Sequence, residues 1–182
     1  MSVIAGEIVE PYAAALMSLA QSKDLTDKFA EDVRSLINIL DESPEFKQFV
    51  GNPVIKQEDK KAVVKRMLGE QVDPLMRNFL MLLIDKGRIT FLEQIGKQYL
   101  ALLRELNQTV LAEVTSTVEL NENQKNTIRE RVKSMTSARE VEIETKVDPS
   151  ILGGVIIKIG SQIIDSSLQG QLRRIGISLK TL

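Results

Sequence analysis

The sequence predicts an α+β multi-domain protein, with an N-terminal six-helix bundle followed by a small α/β C-terminal domain. Two observations point to this. Apolar residues recur at three- and four-residue steps through the first 106 positions, and after Asn107 the period drops to two. No repeat and no low-complexity linker intervenes, so the expected domains are 1–106 and 107–182. The length of 182 residues allows one large or two small domains at roughly 100–200 residues each. With 43% apolar and 27% charged residues, the chain can bury a core.

In the first domain, Pro11 suits a first helical position, and Tyr12 to Ala20 is rich in strong helix formers. Leu25, Phe29, Val33, Leu36, Ile37 and Leu40 form the stripe of a second, amphipathic helix. Ser43-Pro44 opens a third, which Gly51 ends before Asn52-Pro53. A fourth runs from Gln57 to Leu68 with Gly69 as its stop, and Asp73-Pro74 caps a fifth that Gly87 closes. The sixth carries Ile89, Leu92, Ile95, Tyr99, Leu102, Leu103 and Leu106 at helical steps.

In the second domain, Val110, Ala112, Val114, Ser116, Val118 and Leu120 alternate with their neighbours, as a half-buried strand requires. A helix is expected from Glu122 to Met135. Val141, Ile143, Thr145 and Val147 then mark a second strand with glutamates and a lysine on its other face. Pro149, Gly153 and Gly154 make a turn into a largely buried strand, Val155 to Ile159, and Gly160-Ser161 turns it into Gln162-Ile163-Ile164. A last helix from Ser166 is expected to bury Leu168, Leu172, Ile175 and Leu179.

Composition excludes much chemistry. The chain has no His and no Cys, so it cannot build a Ser-His-Asp or Cys-His arrangement, a thiolate zinc site or a disulfide. With 24 basic against 25 acidic residues and no Trp, it lacks the clustered basic excess and stacking surfaces of a nucleic-acid binder. The longest apolar run, Phe79 to Ile84, falls far short of the ~20 residues a membrane-spanning helix needs. Glu7 and Glu10 precede the first basic residue, Lys23, which fits neither a secretory signal nor a transit peptide.

Gly153-Gly154 and Gly160 do not form a phosphate-cradling motif, and Gly96-Lys97 lacks the upstream glycine of a P-loop. They read as turns. The acidic pairs Glu31-Asp32, Asp41-Glu42 and Glu58-Asp59 read as solvated helix faces, as does the lysine-rich helix with Lys56, Lys60, Lys61, Lys65 and Arg66. No catalytic residue, metal site or cofactor is predicted. The first and fifth helices stand apart: from Leu75 to Ile84 only Arg77 and Asn78 are polar, and Ala13-Ala14-Ala15 permits close helix approach. Either both helices lie in the middle of the bundle, or they form a groove for a partner's amphipathic helix.

Tyr12 to Leu16, Phe79 to Arg88, and Val147 to Gly160 continuing through Asp165-Ser166-Ser167-Leu168 resemble the delta subunits of F-type ATP synthases, the family of the oligomycin-sensitivity-conferring protein. Gly153, Gly154, Gly160 and Asp165 carry the most specific part of the likeness, which spans the whole chain. The resemblance implies a non-catalytic stator subunit that joins the catalytic head to the peripheral stalk, coupling rotation to proton transport and ATP synthesis. The implied partners are the N-terminal helix of an alpha subunit, held between the first and fifth helices, and the b-type stalk subunits, met by the C-terminal domain. The implied groove residues are Tyr12, Ala13, Leu16 and Met17 with Met76, Phe79, Leu80 and Leu83; the sequence leaves open which of them face outward. The implied location is peripheral, on the cytoplasmic face of a bacterial plasma membrane or a cyanobacterial thylakoid membrane, through the complex alone. A generic helix-binding adaptor would share the groove without the Gly-Gly region, and a carboxylate metal enzyme would need a tight divalent-ion site.

Overall fold

A computed structural model describes residues 3–68, 72–136 and 138–172, and divides the chain into two compact units, Met1–Leu103 and Arg104–Leu182. The first unit is helical: α1 (Val3–Ser22), α2 (Thr26–Glu42), α3 (Pro44–Gly51), α4 (Gln57–Leu68), α5 (Pro74–Asp85), a 3-10 turn (Ile89–Phe91) and α6 (Leu92–Leu106), whose last turn passes into the second unit. The caps follow the chemistry of the local sequence. Ser43 Oγ accepts the Phe46 N–H at 3.3 Å ahead of α3, and Asp73 Oδ1 accepts the Leu75 N–H at 2.8 Å ahead of α5. Each cap precedes a proline that has no N–H to satisfy. One hydrophobic core unites these helices, with Leu16, Phe29, Met76, Leu80, Leu83, Ile84, Ile95 and Tyr99 almost wholly buried.

Pro11 does not start α1 but lies inside it. An internal proline forfeits one helical hydrogen bond and crowds the preceding turn, at about 3 kcal/mol. The offset is burial: Val9 continues the stripe of Ala13, Leu16, Met17 and Ala20 into the core, while the proline ring stays on the exposed side. The stop expected at Gly69 lies outside the described residues.

The second unit is a four-stranded sheet in the order β2-β1-β3-β4, made of β1 (Thr109–Ser116), β2 (Glu140–Val147), β3 (Val155–Ile159) and β4 (Gln162–Asp165). β1 and β2 run parallel and are connected through α7 (Glu122–Thr136), while β3 pairs antiparallel with β1 and β4 with β3. Ala112 and Val114 meet Ile157 and Ile159 from β3 and Ile128 and Val132 from α7 in a second core. On the opposite face of the same strands, Glu113 and Lys158 sit in register and pair at 3.0 Å. The period-two pattern thus separates a covered face from a solvated one.

Two expectations change here. The first strand stops at Ser116, because β2 ends and β3 begins opposite it; Ser116 Oγ donates to the Val118 carbonyl at 2.7 Å, the chain bends, and Val118 is exposed. Leu120 lies outside the strand but packs against the core. Residues 168–172 are helical, but Leu168 and Leu172 are exposed rather than buried. Ser167 and Gly170, three residues apart, take the inward line instead, joined by a hydrogen bond from the Gly170 N–H to Ser167 Oγ at 3.0 Å. Ile175 and Leu179 lie outside the described residues.

Candidate partner-binding cleft

α1 is apolar along two lines. One, with Val9, Ala13, Met17 and Ala20, enters the core; the other, with Pro11, Tyr12, Ala15 and Leu19, turns toward a cleft against α5. Phe79 and Leu82 form the α5 wall, and Leu16 lies between the two lines at the floor. The cleft has a volume of about 330 Å³ and is almost wholly apolar. Tyr12 and Phe79 meet edge to face across it, ring centroids 6.4 Å apart at 65°. Among the described residues no charged group lines it, so it suits apolar side chains rather than a polar substrate.

Of the eight residues the resemblance implied, Tyr12, Leu16 and Phe79 line the cleft. Ala13, Met17, Met76, Leu80 and Leu83 are buried and belong to the core, where Ala13, Leu80 and Leu83 are 0% exposed. Pro11, Ala15, Leu19 and Leu82 take their places as lining, and Leu82 is 44% exposed. Three- and four-residue steps from Tyr12 would have selected Ala15 and Leu19; nothing in α5 separates Leu82 from its equally apolar neighbours.

The Gly-Gly segment and the Asp-x-Ser that follows form one clasp in the second unit. Asp165 Oδ1 accepts both the backbone N–H of Ser167 at 2.9 Å and its hydroxyl at 2.6 Å. The Leu168 N–H donates to the Gly153 carbonyl and the Ser166 N–H to the Val155 carbonyl, each at 3.0 Å. Gly154, at φ +79°, lies so close to this stretch that a Cβ there would overlap the Ser166 carbonyl oxygen and approach Ser167 Cα to 3.0 Å. Gly153 and Gly160 also hold positive φ, at +126° and +56°. The hydrogen bonds and the close approach at Gly154 tie the two stretches together.

Residues 8–179 match the model of the ATP synthase delta (OSCP) subunit family. The chain belongs to that family. ATP synthase subunit delta of Gloeothece citriformis is 56% identical over 95% of this chain and 94% of its own length. The subunit delta of Crocosphaera subtropica is likewise 56% identical, over 98% and 96%, and that of Synechocystis is 54% identical over 99% and 97%. The fold is shared with a chain of the Toxoplasma gondii mitochondrial ATP synthase hexamer seen by cryo-electron microscopy. The TM-score is 0.73 at 23% identity, across 94% of this chain and 97% of that one.

In this delta-family chain, several polar groups serve the helical unit from inside. Asp32 is buried, not solvated, pairing with Lys28 at 3.1 Å and accepting the Asp73 N–H at 2.9 Å. Its partnership raises the Lys28 pKa, through the hydrogen bond first and the charge second. Lys60 is also buried, and its ammonium donates to the Val50 carbonyl at the end of α3 at 2.7 Å. Lys61 pairs with Asp85, so two of the five basic residues near α4 are engaged within the unit. Tyr99 donates its hydroxyl to the Thr26 carbonyl at 2.9 Å; burial, with the nearby Asp27 charge, pushes its pKa up to about 12. Sequence patterning signalled none of these roles, since an i, i+4 Lys-Asp pair looks the same on a wet face. Among the described residues no group of three or more Asp or Glu could hold a metal ion, and no helix is long and apolar enough to cross a membrane.

Proposed function

We propose that this chain clamps the head of an F-type ATP synthase through the α1–α5 cleft, which takes the amphipathic N-terminal helix of the alpha subunit. As the delta subunit it is a structural, non-catalytic part of the stator, associated peripherally with the membrane complex. In the proposed arrangement residues 1–106 form a six-helix bundle that binds alpha. Residues 107–182 meet the C-terminal ends of the b-type stalk subunits, on the cytoplasmic face of a plasma or thylakoid membrane. The head is thereby kept from turning with the rotor, and rotation is converted into ATP synthesis.

The observation that carries this reading is the apolar cleft itself: a surface of Tyr12, Ala15, Leu19 and Leu82, left uncovered by its own core and offering no reactive group. A clamp needs slowly released contact and no chemistry. The test uses stripped heads and membranes with and without the full chain. ATP hydrolysis by heads alone should be unchanged by its absence, while ATP-driven proton pumping should return only when it is added. A hydrolysis rate that collapses without it would overturn the assignment.

A further inference from the structure

We propose that Asp32 is a positioning residue for the cleft: its buried carboxylate sets where α5 begins, and thereby how Phe79 and Leu82 stand against Tyr12. This rests on the reading of the cleft given above. The carboxylate reaches out of α2 and accepts the backbone N–H of Asp73, the N-cap of α5, at 2.9 Å. Asp73 is itself the hinge of the helix start. Its side chain takes the Leu75 N–H at 2.8 Å, and its carbonyl accepts the first helical bond from Arg77 at 2.9 Å. Pro74 has no N–H, so the Asp73 amide is the last backbone donor before the helix through which a neighbour can hold it.

Val72 and Met76, on either side of the cap, are buried in the core, and the carboxylate adds a directional hold between them. A cavity of about 150 Å³ lies beside the link, lined by Asp32, Ser35, Leu36, Leu68 and Val72 among others. On that side the cap amide is held by a hydrogen bond of defined length and direction. From Pro74, Phe79 is about 8 Å and Leu82 about 12 Å along the axis at 1.5 Å per residue, within one stiff helix. A displacement at the cap is carried to the cleft wall, because packed helices shift as units.

The test uses the full chain and a synthetic peptide of the alpha-subunit N-terminus, at a temperature where circular dichroism shows each variant folded. Asp32→Ala removes the acceptor, whereas Asp32→Asn keeps one oxygen for the Asp73 N–H and gives up the charge and the acceptor that faces Lys28. Asp32→Ala should weaken peptide binding about tenfold or more and lose the ring-to-ring nuclear Overhauser effect between Tyr12 and Phe79 in the free protein. Asp32→Asn should restore both. If Asp32→Ala does not fold, Asp32→Glu replaces it: the longer side chain displaces the cap while keeping charge and acceptor, and the same losses are expected. Wild-type affinity with an intact ring contact in the displaced variant, whatever its melting temperature, would overturn the proposal. Failure of the wild-type protein to bind the peptide would instead count against the cleft reading, and the ring contact alone would then decide the role of Asp32.

Discussion

Leu82 and Leu16 both line the cleft, yet replacing each with aspartate should have opposite consequences. Leu82 is 44% exposed and Leu16 only 1%. Burying a whole leucine side chain is worth about 1.5–3 kcal/mol, so covering the exposed part of Leu82 is worth about 1 kcal/mol, or roughly fivefold in Kd for Leu82→Ala. Leu82→Asp adds a carboxylate that an apolar occupant must strip of water, at several kcal/mol, so binding should fall by about a hundredfold or more. Its melting temperature should drop only modestly, because the new charge keeps its access to solvent. Leu16→Asp places the charge in the core and should cost more than about 4 kcal/mol, a large share of a total stability of about 5–15 kcal/mol. Calorimetry with the alpha-subunit peptide and a thermal melt of each variant separate the two effects. The reasoning fails if Leu82→Asp binds like wild type, which would mean that the occupant does not touch α5, or if Leu82→Asp unfolds the chain while Leu16→Asp does not.

Tyr99 holds its proton to about pH 12 when folded, against an ordinary value near 10. Its contribution should be complete below pH 10 and vanish as pH climbs through 12, since the unfolded chain ionises first. Tyr99→Phe should flatten that alkaline loss in denaturation curves while costing about 1 kcal/mol at neutral pH for the Thr26 hydrogen bond. Gly154→Ala should destabilise the second unit by about 1–2 kcal/mol from its left-handed backbone alone, and by more through overlap with Ser166. Hydrogen exchange should then lose protection at the Ile157 amide and keep it at Leu80. Lys60→Met keeps the stem but orphans the Val50 carbonyl, an expected loss of about 1–3 kcal/mol, read as a lower melting temperature.

Most elements could be read from apolar spacing because spacing reports which faces leave water. The stripe from Phe29 to Leu40, the alternation in β1 and the proline-flanked starts of α3 and α5 all follow from that rule, whereas in β2 only Val141 is buried and Thr145 and Val147 are exposed. It fails where one residue serves two purposes or where a pattern outlasts its partners. Pro11 looked like a start because proline is tolerated there, but burial of Val9 extends the helix behind it. Val118 keeps the period of β1 after the neighbouring strands have ended. In α5 nearly every side chain is apolar, so sequence distinguishes neither Leu82 from Leu83 nor groove from core. Asp32 and Lys60 were illegible for a related reason: charge predicts exposure unless tertiary structure supplies a partner, and theirs lie 41 and 10 positions away in the chain.

The sheet order also governs the sequence of events as the chain is made. β1 is an inner strand, and it is the first to leave the ribosome. Its parallel partner arrives only when Glu140 follows Thr109, and its antiparallel one only when Ile159 reaches Ala112. The first unit, built of helices closed by local hydrogen bonds, will by then have been synthesised. Until the first of those moments β1 offers two open edges, and until the second one edge, with a row of valines and alanine, to any other nascent chain. Crowded synthesis therefore endangers the half that folds late, and a chaperone that shelters this protein has its task set by residues 109–165 rather than by the helices before them.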